Sequence, residues 1–270
     1  MVRTFDIAKG EALRETEPAD SLAEASARLP HGVYTSFRTH GRDRVVRFGD
    51  HVQRLEVSAA LQGRPGRLDA IRLRAGLAAA VHAAGYPESR VRVTWAPPRL
   101  FASVEPFAPP SAALYETGVA CVTLPVRRDN PHAKDTRFLE TAAAAYGSLP
   151  AGRHEGLLVG EDGALLEGLS SNFFAIREGI LHTEEERALA GVTRTLVLEL
   201  SRSVLPLART AVRREQLGEV TESFITSASR GILPVVRIDA ARIGNGRPGA
   251  FTRDLRQRFE ELVAREAEPL

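Results

Sequence analysis

The period of apolar and polar positions changes several times along the chain, and each change marks an element. Val33 to Arg38 and Arg44 to Phe48 are rich in β-branched and aromatic residues and flank Thr39-His40-Gly41-Arg42-Asp43, which predicts a hairpin with a glycine-containing loop. The pattern then turns helical. With Asp50 as N-cap, Val52, Leu55, Ser58, Ala59 and Leu61 put small or apolar groups on one face before Gly63 ends the helix. A second helix is expected from about Leu68 to Ala84, beginning near Asp69 and stopping at Gly85-Tyr86-Pro87, followed by strands near Val91 to Trp95 and Leu100 to Val104. Pro106 to Ser111 contains three prolines, which stiffen a crossing without forming ladder bonds, and is the expected linker.

Beyond it, strand signals are richer, at Val119 to Val126, Gly156 to Val159, Ala164 to Leu166, Phe173 to Ile176 and Ile180 to His182. Turns such as Glu161-Asp162-Gly163 join them. Helical patterns fall at Thr136 to Tyr146, Thr193 to Val204 and Thr252 to Glu266. The expected organisation is α+β in two domains, a small one over 1–113 and a larger one over 114–270.

Composition narrows the function classes. A hydrophobic content of 43% in 270 residues fills sizeable cores. The net charge of +2 arises from 36 basic and 34 acidic residues spread along the whole length, which argues against nucleic acid as the main partner. No apolar run approaches about 18 residues, so no membrane span is expected and a soluble, cytoplasmic protein is. The single cysteine, Cys121, lies within Val119-Ala120-Cys121-Val122 and reads as a buried strand residue, neither a nucleophile nor a metal ligand.

Two of the 36 basic residues are lysine, Lys9 and Lys134, so 34 are arginine. Where a lysine persists against that bias it is a candidate for chemistry arginine cannot do. A desolvated amine near another cation loses its proton and attacks a carbonyl. Lys134 stands between a strand and a helical pattern, where it is either such an amine or an ordinary surface charge. Thirty-three positions on, Glu167 falls between the apolar runs Leu165-Leu166 and Leu169, and Phe173-Phe174 follows. If buried, it needs a cation or hydrogen bonds; the alternative is an exposed turn beside Gly168. Gly191-Val192-Thr193-Arg194 opens a helix, whose first N–H groups form an anion site unless Thr193 is only a cap. Ser227-Ala228-Ser229-Arg230-Gly231 offers a second phosphate cradle or a plain turn, and Arg54 a charged donor.

Taken together, these segments resemble the fold-type IV pyridoxal phosphate enzymes, the family of branched-chain aminotransferases, D-amino acid aminotransferases and aminodeoxychorismate lyase. The resemblance runs from about Gly32 to Val236. It implies a two-domain fold with a small N-terminal α/β domain and a larger, β-barrel-like C-terminal domain with flanking helices. It also implies pyridoxal 5'-phosphate as cofactor, a homodimer, and amino acid and 2-oxo acid substrates. By the same resemblance, Lys134 holds the cofactor as a Schiff base and shuttles the substrate's α-proton, and Glu167 pairs with the pyridine nitrogen. Arg54, Val192, Thr193, Ser227 and Ala228 form the phosphate cup, and Tyr34 lies against the substrate.

Two departures bear on the substrate carboxylate. Arg137 stands where many relatives have asparagine, and Trp95-Ala96-Pro97-Pro98-Arg99-Leu100 lacks an Arg-Gly pair. Arg38, Arg99 and Arg137 are therefore competing clamps, each with a solvated role as its alternative. The function expected is transamination of a branched-chain L- or D-amino acid. A lyase releasing pyruvate from 4-amino-4-deoxychorismate is the alternative, and a non-catalytic binding protein exploiting the arginine excess a third reading, against which the dispersed charge speaks.

Overall fold

The computed structural model describes residues 1–8 and 13–270; Lys9 lies outside them. Contacts divide the chain into two compact units, one made of Met1–Ala108, His132–Ala143 and Arg265–Leu270, the other of Pro109–Pro131 and Ala144–Ala264.

The first unit contains β1 (Arg3–Asp6), β2 (Arg14–Glu15), α1 (Leu22–Ala27), β3 (Val33–Arg38), β4 (Arg44–Val45), α2 (Phe48–Leu61), α3 (Ala70–Ala84), β5 (Ser89–Ala96) and β6 (Arg99–Pro106). Five of its strands form an antiparallel sheet in the order β2-β1-β6-β5-β3. Helix α2 packs against β3 and α3 against β6, burying Leu55 and Leu77 with Phe37, Val91 and Phe101. Asp69 caps α3 through hydrogen bonds from the amides of Ile71 and Arg72, and Gly85 ends it with φ +75°, as the composition there predicts.

The expected hairpin is not formed. β3 pairs along its length with β5, and His40 and Arg44 share a single bridge. Arg47 turns left-handed at φ 55° and Phe48 already begins α2, so the second run contributes only Arg44–Val45, which pairs with Glu268–Pro269.

The second unit contains α4 (Ala112–Thr117), β7 (Val119–Leu124), the end of α5 (Arg137–Gly147), β8 (Glu155–Val159), β9 (Leu165–Gly168), β10 (Asn172–Arg177), β11 (Ile180–His182), α6 (Val192–Ser201), β12 (Leu207–Ala208), β13 (Val220–Ser227), β14 (Gly231–Ile238), β15 (Ala241–Arg242) and most of α7 (Ala250–Glu266). Strands β10-β13-β14-β7-β8-β9 run side by side, and β9 pairs back onto β10, so six strands close a barrel-like sheet. The β-barrel-like domain with flanking helices is thus present. One apolar cluster holds Cys121, Leu157, Phe173, Ile225 and Leu233; another holds Phe174, Phe224, Val197 and Leu255. Cys121 is fully buried, and its apolar surroundings push the thiol up from its ordinary range. Among the described residues, no helix is long and apolar enough to cross a membrane.

Candidate active site

In the first unit, the segment carrying Lys134 is strapped to the edge of the sheet. The amide of Tyr34 donates to the carbonyl of Lys134 at 2.9 Å, that of Thr136 donates to the carbonyl of Gly32 at 2.9 Å, and the amide of Lys134 donates to Ser58 Oγ on α2 at 3.1 Å. These bonds fix the backbone from which the amine projects. Lys134 Nζ lies 4.7 Å from the centroid of the buried Tyr34 ring, within cation–π range.

His51 and Arg54 sit one turn apart on α2. The fully buried imidazole of His51 meets Thr35 Oγ1 through Nδ1 at 2.7 Å. Burial, followed by the charges of Arg54 and Lys134, pushes its pKa down to about 3, so it is neutral at physiological pH. Tyr34, Lys134, His51 and Arg54 therefore belong to one electrostatic neighbourhood.

Each of the three candidate carboxylate clamps already has an acidic partner. Arg38 bonds Glu88 at 2.9 Å and stacks over Phe107, Arg99 pairs with Asp6 at 3.2 Å, and Arg137 grips Asp135 at 2.5 Å. An arginine the sequence did not mark meets Tyr34: Arg92 on β5 places its guanidinium 5.2 Å from that ring centroid and is anchored by Leu22 O and Ser26 Oγ.

In the second unit, strand register assembles the other candidates. Glu167 is opposite Asn172, and Asn172 is opposite Thr226, so the three form a row across β9, β10 and β13. Glu167 is 2% exposed, and its Oε2 accepts from the amide of Leu189 at 3.0 Å and from Asn172 Nδ2 at 3.4 Å. Arg128 Nε lies 3.4 Å from its Oε1, both side chains being buried. A buried carboxylate needs such a cation, and Glu167 finds it in Arg128, a residue that the sequence does not single out.

Asn172 also ties this row to the start of α6. Its Nδ2 donates to Leu189 O at 2.7 Å, and its Oδ1 occupies the space beside Gly191, where a Cβ would come within 2.0 Å. Gly191 caps α6 without a side chain, and Thr193 is buried in the first turn, whose N–H groups lack intrahelical acceptors. At the far end of the row, Thr226 Oγ1 is buried without a hydrogen-bond partner among the described residues, and Ser227 and Ala228 follow at the strand end. A carboxylate, an available hydroxyl and a helix N-terminus in one place fit a ligand that carries both a protonated nitrogen and a phosphate. Among the described residues there is no metal-ligating cluster.

A family model described as amino-transferase class IV matches residues 32–238. The chain belongs to the class IV aminotransferases. Among curated proteins, this class IV aminotransferase is 29% identical over 173 residues to the Methanocaldococcus jannaschii protein named "Putative branched-chain-amino-acid aminotransferase", covering 61% of the chain and 59% of that protein. It is 27% identical over 133 residues to the branched-chain-amino-acid aminotransferase of Pseudomonas aeruginosa, covering 48% of the chain and 43% of the relative, so the matches span about half of these relatives' length. Among solved structures, the Thermotoga maritima crystal structure named "a putative branched-chain amino acid aminotransferase" superposes with a TM-score of 0.80 at 26% identity, over 97% of this chain and 96% of that one. The fold-type IV architecture is thereby shown.

Proposed function

We propose that this class IV aminotransferase uses pyridoxal 5'-phosphate to move an amino group between a branched-chain L- or D-amino acid and a 2-oxo acid. The observation that carries the reading is the buried row Glu167–Asn172–Thr226 beside the N-terminus of α6. A branched-chain amino acid aminotransferase of the same fold was crystallised with pyridoxamine 5'-phosphate, at 21% identity and a TM-score of 0.80.

Bound pyridoxal phosphate supplies an aldehyde carbon that accepts amines and a ring that delocalises the electron pair left when a Cα proton departs. Lys134 would provide the amine that holds the carbonyl carbon until the substrate's own amine displaces it, and the freed amine would then take the proton from the substrate's Cα. Glu167, which faces Arg128 and accepts from two N–H donors, would hold a proton at the ring nitrogen. The amides of Val192 and Thr193, the Ser227–Ala228 turn and Arg54 bind phosphate oxygens. Tyr34 orients the substrate, and the neutral His51 adds no charge to the neighbourhood of Arg54 and Lys134. A substrate carboxylate would meet the donors that Arg38, Arg99 or Arg137 holds beyond those given to Glu88, Asp6 or Asp135. A cytoplasmic homodimer completes the reading.

The test is a spectrophotometric half-reaction across L- and D-amino acids. The bound cofactor should convert to its amine form and return on addition of a 2-oxo acid. Absence of conversion with every amino acid refutes the proposal, and pyruvate release from aminodeoxychorismate without any 2-oxo acid redirects it to elimination.

A further inference from the structure

Glu155, the first residue of β8, is fully buried, and no step above uses it. Its Oε2 accepts from Arg230 Nη2 at 2.9 Å, from Ser171 Oγ at 3.0 Å and from Ser170 Oγ at 3.2 Å, while the Tyr146 hydroxyl donates to Oε1. Arg230 also donates to Ser170 Oγ at 2.9 Å. Its own carbonyl accepts from Tyr115 at 2.7 Å. Burial works against the charge on Arg230, but Glu155 and Tyr146 outweigh it and hold the guanidinium firmly protonated.

The contacts of this pair fall on two turns. Ser170 and Ser171 separate Glu167 from Asn172, and Gly168 packs so tightly there that a Cβ would approach Ser171 Oγ to 2.2 Å and Glu155 Cγ to 2.9 Å. On the other side, the amide and Nε of Arg230 donate to Ser227 Oγ at 3.3 and 3.1 Å. A hydroxyl has two lone pairs and one proton. With both lone pairs engaged by Arg230, Ser227 can meet a further group only as a donor, which is what a phosphate oxygen requires. Apolar residues of similar volume stabilise a barrel interior at least as well as a desolvated ion pair does, so stability alone does not account for the charges.

We propose that Glu155 and Arg230 form a positioning pair that braces the 168–171 turn against the 227–230 turn and commits Ser227 to donating its hydroxyl proton to the cofactor's phosphate. The inference rests on the pyridoxal phosphate reading.

Its test compares two probes on apoprotein, pyridoxal phosphate and phosphate-free pyridoxal, each titrated by absorbance, with far-UV circular dichroism monitoring the fold. Arg230→Met, the charge-neutral double variant Glu155→Gln/Arg230→Met, and Ser227→Ala should each weaken pyridoxal phosphate binding about tenfold, the scale of one charge-assisted hydrogen bond, and leave pyridoxal affinity within about twofold. Arg230→Lys keeps the charge but lacks the fork, and should recover the circular dichroism of the parent without recovering the phosphate increment. Unchanged pyridoxal phosphate affinity in Ser227→Ala, or equal losses for both probes in folded variants, overturns the proposal. Failure of the parent protein to bind pyridoxal phosphate at all overturns the cofactor reading itself and this pair's role with it.

Discussion

Replacing Gly191 with alanine adds a methyl group at the junction of the carboxylate row and α6, where its closest neighbour is Asn172 Oδ1 and Arg194 Cβ is next at 3.2 Å. The backbone itself tolerates alanine, since Gly191 has φ −62° and ψ 137°, so any effect comes from the added methyl group. That methyl would lie 2.0 Å from Asn172 Oδ1, and reaching ordinary contact at 3.4 Å requires the amide to retreat by about 1.4 Å. The retreat breaks the 2.7 Å bond to Leu189 O and the 3.4 Å bond to Glu167. Two buried hydrogen bonds at about 1 kcal/mol each amount to about 2 kcal/mol, or more if an amide group is left buried and unsatisfied. Because Trp95, the only tryptophan, belongs to the other unit, far-UV circular dichroism in urea is the appropriate stability assay. If the same residues shape the cofactor site, pyridoxal phosphate affinity should also fall by more than about tenfold, at 1.4 kcal/mol per decade. Unchanged affinity and stability in Gly191→Ala would refute the claim that Asn172 couples Glu167 to the helix start.

Two further outcomes follow from the buried ionisable groups. With His51 held at about 3 against an ordinary 6.5, the unfolded chain binds a proton that the folded chain refuses. Stability is therefore complete above pH 6.5 and declines as pH falls toward 3, by on the order of 5 kcal/mol from this group. An acid-unfolding series should show that slope flattened in His51→Asn, and an equal slope in both proteins would discard the buried-neutral assignment. Glu167→Gln should keep cofactor bound but slow the amino acid half-reaction by about 10² or more, measured by stopped-flow absorbance; an undiminished rate removes Glu167 from the ring nitrogen.

What could be read from the sequence was local. Asp69 and Gly85 bracket α3 because caps act through their own neighbours, whereas the apolar residues around Glu167 were equally compatible with burial and with an exposed turn beside Gly168. Pairing over long range was not legible. The strand 33–38 finds its partner at Ser89–Ala96 instead of the run next to it, and Pro234 obscures the period of β14, which is not among the strands that the pattern predicts. Arg128, Arg92 and Arg230 illustrate the same limit within the candidate site. Nothing in a chain with 34 arginines tells a buried one from a solvated one, because tertiary packing alone selects which guanidinium meets Glu167, Tyr34 or Glu155.

The scarcity of lysine gives the central claim a direct measurement. Borohydride reduction of the protein loaded with pyridoxal phosphate, followed by peptide mass mapping, should place a single phosphopyridoxyl group on Lys134. A label on Lys9 or the N-terminal amine with Lys134 unmodified would contradict the account.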